Sequence, residues 1–382
     1  MNVLIVADVL GKENNGTTIA CMNFIRYLKS IGDYVKIVCC DQERKGEEGY
    51  YVVPTINLGY VLNKVVEKNC VKIAKVDRDV IEEAMQDVDV VHILLPFLLG
   101  RAALKIAMER HIPVTASFHC QAENLTSHLM LMNNKIANKA TYKNFYNHFY
   151  KDVNAVHFPT EFIRRTFENS VKHETNAYVI SNGVNKFFTK KIIEKPDDFK
   201  EKFVILFIGR FSKEKSHKVL IKAVSLSKYK NNIKLVFAGA GPREDEIKKY
   251  ANRCKIEMPL MKFFSRNELV DIINYSDLYC HPAEIEIEAI SCLEAISCGL
   301  VPVISDSKRS ATNAFAIDEK CLFKCNNSLD LSKKIDYWIE HNDEKKEYQE
   351  KYLNYAKEFD QDNCMKRMRD MLIDTINNYH EK

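Results

Sequence analysis

The chain has 382 residues, more than one hydrophobic core usually serves, so two domains are expected. Its 46% hydrophobic and 28% charged residues exclude a disordered chain. A net charge of +4, from 56 basic and 52 acidic residues, speaks against a dedicated nucleic-acid binder.

The chain opens Met1-Asn2-Val3-Leu4-Ile5-Val6 with no basic start before the apolar run. That reads as a first strand over residues 2–7, and not as a signal peptide. Further strands are predicted over 35–40, 89–94, 114–118, 155–158 and 178–180, with helices over 20–31 and 100–110 between them. The polar stretch 189–202, with Pro196, reads as an interdomain linker. The pattern then restarts with strands over 203–208, 233–238, 277–281 and 301–304, and the closing stretch 352–379 reads as one helix. Near-continuous apolar strands separated by helices imply α/β domains with parallel sheets covered on both faces. Two such doubly wound domains are expected to face each other, with ligands at the carboxyl ends of the strands in the cleft between them. No run approaches the ~20 apolar residues that span a bilayer.

The 12 cysteines include the neighbours Cys39 and Cys40 but no CxxC pair, so they read as reduced thiols packed as small hydrophobes in a cytosolic protein. Only 12 glycines occur, and Gly16, Gly183, Gly209, Gly239, Gly241 and Gly299 border apolar runs. Gly239 and Gly299 read as plain turn glycines.

Three segments carry chemistry. The first runs from Asp8 to Thr18, with Gly16 and Thr17 opening a helix whose amides can hold a phosphate. It is neither GxGxxG nor a P-loop, which weakens dinucleotide and ATPase readings. In the second, a strand ends at Gly209 and two cations, Arg210 and Lys215, precede a helix beginning near Lys218. Fixed cations there can neutralise a diphosphate leaving group. The third runs from Glu284 to Ile304. Glu286 falls in the approach to a helix and Glu294 inside it, two acceptors suited to sugar hydroxyls. Between them the helix start, at Glu288, Ala289 and Ile290, offers amides to a phosphate. A Glu in an otherwise apolar helix face needs a partner. Glu284 and Glu288 compete with Glu286 for the sugar.

Gly209-Arg210 with Lys215, Ala238-Gly239-Ala240-Gly241-Pro242, and Glu286 and Glu294 followed by Ala295 to Ile304 together resemble the retaining glycosyltransferases of family four, which have the GT-B fold. Ser181-Asn182-Gly183-Val184-Asn185 resembles that family's crossing between domains. The branch most similar includes diacylglycerol glucosyltransferases and related lipid and polysaccharide enzymes. The resemblance implies an acceptor-side domain over 1–182, a donor domain over 183–355, and a last segment, 356–382, that returns to the first domain and acts in cleft closure. It implies a nucleotide-diphosphate sugar, UDP-glucose by preference, as co-substrate, with no cofactor and no metal. Arg210 and Lys215 would hold the diphosphate, Glu286 the sugar and Glu294 the ribose. Backbone near Phe263, Phe264, Ser265 and Arg266 would meet the base. Gly16 and Thr17 would close on the phosphates, and His119 would sit by the sugar, in competition with His92 and His157. The anomeric configuration would be retained by front-side attack within a tight ion pair. One departure is that many relatives carry glycines where this chain has Ile287 and Ala289.

On the acceptor side, Gln121, Glu123 and Asn124 are candidates. Beyond them Lys135, Lys139 and Lys143 recur at helical spacing, as do Tyr142, Tyr146 and Tyr150, and Phe145 and Phe149. A basic helix with exposed aromatics suits an anionic membrane surface; an ordinary helix burying its aromatics fits the same spacing. A second basic set, Lys64, Lys68, Lys72 and Lys75, reads as a solvated face. The expectation is a cytoplasmic enzyme, peripheral on the anionic inner leaflet, that glycosylates a lipid or lipid-linked acceptor. Rival readings are a polysaccharide glycosyltransferase with a lipid-linked or soluble acceptor, and a non-catalytic sugar-nucleotide-binding module.

Overall fold

A computed structural model describes residues 1–8, 10, 16–56, 74–127 and 131–381. The chain divides into two compact units, residues 1–182 with 362–382, and residues 183–361.

In the first unit, β1 (Asn2–Val6), β2 (Tyr34–Cys39), β3 (Tyr50–Val52), β4 (Val90–Ile93), β5 (Val114–Ser117), β6 (Ala155–Phe158) and β7 (Ala177–Val179) form one parallel sheet. Their order is β3-β2-β1-β4-β5-β6-β7. The central strands are buried on both faces, which is why Val3, Leu4, Ile5, Val90 and Val91 form unbroken apolar runs. The helices are α1 (Gly16–Ser30), α2 (Arg78–Ala84), α3 (Leu98–Glu109), α4 (Ala122–Ser127), α5 (Lys135–His148) and α6 (Glu161–Val171). Short polar side chains start three of them: Asp77 caps Val80, Asn134 caps Ile136 and Ala137, and Thr160 caps Ile163.

In the second unit, β8 (Phe203–Ile208), β9 (Ile233–Ala238), β10 (Leu260–Lys262), β11 (Leu278–His281), β12 (Pro302–Ser305) and β13 (Leu322–Phe323) pair in the order β10-β9-β8-β11-β12-β13, again parallel. Helices α7 (His217–Leu226), α8 (Glu244–Cys254), α9 (Arg266–Tyr275), α10 (Ile290–Ser297), α11 (Ser328–Glu340) and α12 (Asn342–Ala356) cover it. Its core centres on Phe207, Phe237, Tyr279 and Trp338. The connections from β8 and β11 run to opposite edges, so their carboxyl ends open a crevice at the topological switch point.

The last helix, α13 (Gln361–His380), completes the first unit. Cys364, Met365, Met368, Met371 and Leu372 are buried against Ile5, Phe24, Leu28 and their neighbours. Arg369 donates to Asp33 from Nε at 2.7 Å and Nη2 at 3.2 Å.

The structure corrects several expectations. The closing stretch is not one helix: α12 ends at Ala356, a 3-10 turn covers Lys357–Phe359, and α13 begins at Gln361. The unit boundary falls at Gln361 and not at Tyr355, because the Val184 N–H donates to Phe359 O at 2.7 Å and the Gln361 N–H to Val184 O at 3.1 Å. Residues 189–202 are no interdomain linker. They lie on the second unit, where the Lys191 N–H donates to Asn274 Oδ1 at 2.6 Å and Lys195 pairs with Asp277. Gly239 is not a plain turn glycine, since an added Cβ would stand 2.1 Å from Gly209 O. Gly299, at φ +80° after α10, is one.

Candidate functional site

The crevice between β8 and β11 gathers the chemistry of the second unit. From β8 the chain passes Gly209 into a loop anchored by the buried ring of Phe211, whose N–H donates to Ala240 O at 3.0 Å. That anchoring needs Gly241, where a Cβ would stand 2.6 Å from Phe211 O. Arg210 is exposed on the loop, and a 3-10 turn over Lys213–Lys215 presents Lys215. From β11 the chain passes Pro282 and Ala283 to Glu286, whose carbonyl accepts from the Ala311 N–H at 2.9 Å. The Lys215 ammonium and the Glu286 carboxylate form a salt bridge, with only 12% of the Glu286 side chain exposed. His281 Nε2 lies 3.3 Å from the same Oε1. Burial pushes the Glu286 carboxyl up, but Lys215 and His281 outweigh it and hold it down at about 2. Of the competing glutamates, Glu284 is paired with Arg309, and Glu288 is buried.

Helix α10 starts beside this pair, tied to β8 by Ser291 Oγ donating to Ile208 O at 3.2 Å. Its cap, Ala289, takes the left-handed conformation at φ 63°. Glycine adopts that conformation freely, which is why the departure from glycine matters here. Ile290 opens the helix, so its own amide and that of Ser291 precede the first intrahelical bond, which Cys292 N–H makes to Ala289 O at 2.9 Å. Inside α10, burial pushes the Glu294 carboxyl up to about 7, against a smaller lowering by Arg266. Arg266, in turn, lies over the rings of Phe187 and Phe188, at 5.2 and 5.8 Å. Phe264 is half-buried under Lys262, and Ser265 caps α9 in a reciprocal arrangement with Glu268. Sequence reasoning singled out Lys215, Glu286 and Glu294 but passed over His281 and the Phe187–Arg266 stack. A histidine ending a strand just before the glutamate loop was the available signal for the first.

The remaining candidates belong to the first unit. Gly16 and Thr17 open α1, and a Cβ on Gly16 would meet nothing within 4 Å of it. Residues 9 and 11–15 of that loop, and Lys64, Lys68 and Lys72, lie outside the described residues, as does the Asn124 side chain. His119 follows β5 and is half-buried, its imidazole pushed down to about 3 by burial and by His157 and His92. His92 and His157 are interior groups. His157 Nε2 faces Ile180 O at 2.7 Å and so must donate, which leaves Nδ1 to accept from Ser117 Oγ at 2.9 Å. Ser117 then accepts from His92 Nε2 at 2.9 Å, and Thr115 Oγ1 donates to His92 Nδ1 at 2.8 Å.

Gln121 is buried, and Glu123, also buried, accepts from the Tyr142 hydroxyl at 2.9 Å. Neither therefore lines an open acceptor surface of this unit. Helix α5 does expose Lys135, Lys139 and Lys143, but its aromatics follow the second of the two readings and turn inward. Tyr142 and Tyr150 are buried against Phe118 and Phe167, Phe149 against Tyr150 and Phe145 against Phe97, and Tyr146 stacks on His173. The basic face instead surrounds Ile136, 82% exposed. Among the described residues no helix is long and apolar enough to cross a membrane.

Comparison with known proteins agrees with this architecture. The model "Glycosyltransferase Family 4" matches residues 14–186, and "Glycosyl transferases group 1" matches residues 188–359. Alpha-monoglucosyldiacylglycerol synthase of Streptococcus pneumoniae is 25% identical over 232 residues, 57% of this chain and 51% of that protein. The chain thus spans about half the length of that curated relative. The catalytic domain of cholesterol-alpha-glucosyltransferase from Helicobacter pylori is 49% identical over 40% of this chain and 96% of its own, at a TM-score of 0.39. Anabaena Alr3699/HepE in complex with UDP and glucose superposes at a TM-score of 0.73 over 98% of this chain and 100% of its own, at 15% identity. Two parallel-sheet units, each matched by one of the paired family models, make this chain a member of the family-four glycosyltransferases, with the GT-B fold.

Proposed function

We propose that this chain transfers glucose from UDP-glucose, with retention of configuration and without a divalent metal, to a hydroxyl of a membrane lipid such as diacylglycerol. The observation that carries the reading is the salt bridge of Lys215 with Glu286 at the β8–β11 switch point, beside an α10 N-terminus and Glu294. Lys215 and Arg210 supply fixed positive charge for a diphosphate, and the first amides of α10 add hydrogen-bond donors. Glu286 offers lone pairs to sugar hydroxyls and Glu294 to the ribose. In the reaction the bond from the anomeric carbon to the β-phosphate oxygen breaks and UDP leaves with the electron pair. The acceptor oxygen bonds to the same face of that carbon, and its proton passes to the departing phosphate. No protein base is needed, so the protein's work is charge neutralisation and positioning.

The lipid acceptor is supported by the Streptococcus pneumoniae relative, named for diacylglycerol chemistry, and by the exposed Lys135, Lys139 and Lys143 around Ile136. The enzyme then docks reversibly on the anionic inner face of the membrane. The test is transfer of labelled glucose from UDP-glucose to vesicles carrying diacylglycerol or cholesterol, with and without EDTA. Labelled lipid with an α linkage in the presence of EDTA is the expected result. Turnover only with a soluble glycan acceptor, or a β-linked product, would overturn the reading. Co-sedimentation that ignores both anionic lipid content and neutralisation of the three lysines would remove its membrane clause.

A further inference from the structure

One buried group at this site has been given no role in the reading above. His281 ends β11 and is fully buried. Its Nδ1 lies 3.2 Å from the hydroxyl of Tyr279, itself buried and stacked on the imidazole at 5.9 Å. Its Nε2 makes no hydrogen bond and faces Glu286 Oε1 at 3.3 Å, an oblique approach. The Glu286 carboxylate facing Nε2 can only accept, which favours the tautomer with its proton on Nε2; Nδ1 is then the acceptor for the Tyr279 hydroxyl.

We propose that His281 is a positioning residue, the donor that keeps Glu286 oriented toward the sugar when a diphosphate takes Lys215 away from it. The inference rests on the donor reading above. One ammonium cannot fully neutralise both a buried carboxylate and a pyrophosphate. When Lys215 turns to the phosphate, Glu286 loses its main partner inside a site where an unpaired charge is costly. A neutral imidazole N–H already 3.3 Å away supplies the replacement hydrogen bond without competing for the diphosphate or pairing permanently with the acid. Tyr279 and the edge-on ring of Phe207, at 5.5 Å, hold the imidazole in that plane.

Glu286 serves the sugar and not the nucleotide, so the test is calorimetric titration of the full chain with UDP and with UDP-glucose. In His281→Leu the affinity for UDP-glucose falls about 10-fold or more, as for a lost hydrogen bond to a charged group, while that for UDP stays within about twofold. His281→Gln, whose amide can donate from a similar place, regains most of the difference. Tyr279→Phe, nearly isosteric, loses part of it. An unchanged ratio of UDP-glucose to UDP affinity in His281→Leu overturns the proposal, as does the same result in Tyr279→Phe should the leucine variant not fold. A glutamine variant as weak as leucine would assign the effect to packing and likewise overturn it. A wild-type chain that binds neither compound refutes the donor reading itself, and this inference with it.

Discussion

Replacing Lys215 with methionine tests the central pair directly. Methionine keeps much of the aliphatic stem and removes the ammonium. The Glu286 carboxylate, 12% exposed, is then left with His281 Nε2 at 3.3 Å as its side-chain partner. A carboxyl held at about 2 against its ordinary 4.5 corresponds to roughly 3 kcal/mol, at about 1.4 kcal/mol per tenfold. Truncating one side of a buried ion pair costs about 3–5 kcal/mol in other proteins, which agrees. In the wild type, Glu286 binds its proton less readily when folded, so its contribution is full above pH 4.5 and is lost as pH falls toward about 2. In the variant the sign reverses. With no ammonium beside it, burial outweighs the neutral His281 and the carboxyl binds a proton more readily when folded, so stability rises as pH is lowered from 8 to 5. The assay is urea unfolding at several pH values followed by tryptophan fluorescence. The chain's single tryptophan, Trp338, is buried in α11, so the signal reports the second unit. Adding Glu286→Gln removes the stranded charge and recovers most of the loss. A loss below about 0.5 kcal/mol, or a pH dependence like that of the wild type, would refute the reasoning.

Glu294→Gln flattens a different profile. Burial raises this carboxyl to about 7, so its stabilising effect is full below pH 4.5 and is lost as pH rises through about 7. Thermal melts should show the glutamine variant more stable than wild type at pH 8 and similar at pH 5. Ala289→Gly releases a left-handed cap that costs an alanine about 1–2 kcal/mol, offset in part by the greater freedom of unfolded glycine. A net gain of about 0.5–1 kcal/mol in urea unfolding is expected, and a loss would argue against strain there. Arg369→Leu removes the guanidinium that, with the Met1 amine, holds the buried Asp33 carboxyl below its ordinary value against the effect of burial. Limited proteolysis should then cut within residues 362–381 faster than in wild type, and equal rates would show that apolar packing alone retains α13.

The long central strands were legible because burial on both faces writes unbroken Val and Ile runs into the sequence, as at Val3 to Val6 and Phe203 to Ile208. The short edge strands β3, β10 and β13 were not, since two or three residues carry no usable period. Lys215, Glu286 and Glu294 could be named from residue type and spacing, but the Lys215–Glu286 pairing joins positions 71 apart and needed the strand order. Spacing also could not decide the α5 aromatics, because a stripe of rings looks the same whether it meets lipid or Phe118 and Phe167. The break at Lys357–Phe359 escaped notice because it contains neither Gly nor Pro.

The segment that completes the first sheet's cover is synthesised only after the whole second unit. While the intervening residues 183–361 emerge from the ribosome, the flank formed by Ile5, Phe24 and Leu28 has no methionine-rich lid. The nascent first unit therefore waits, greasy side open, for a helix made only after residues 183–361. An amino-terminal fragment cut at residue 182 should be prone to clumping, and grafting residues 362–382 onto it through a flexible tether should cure that.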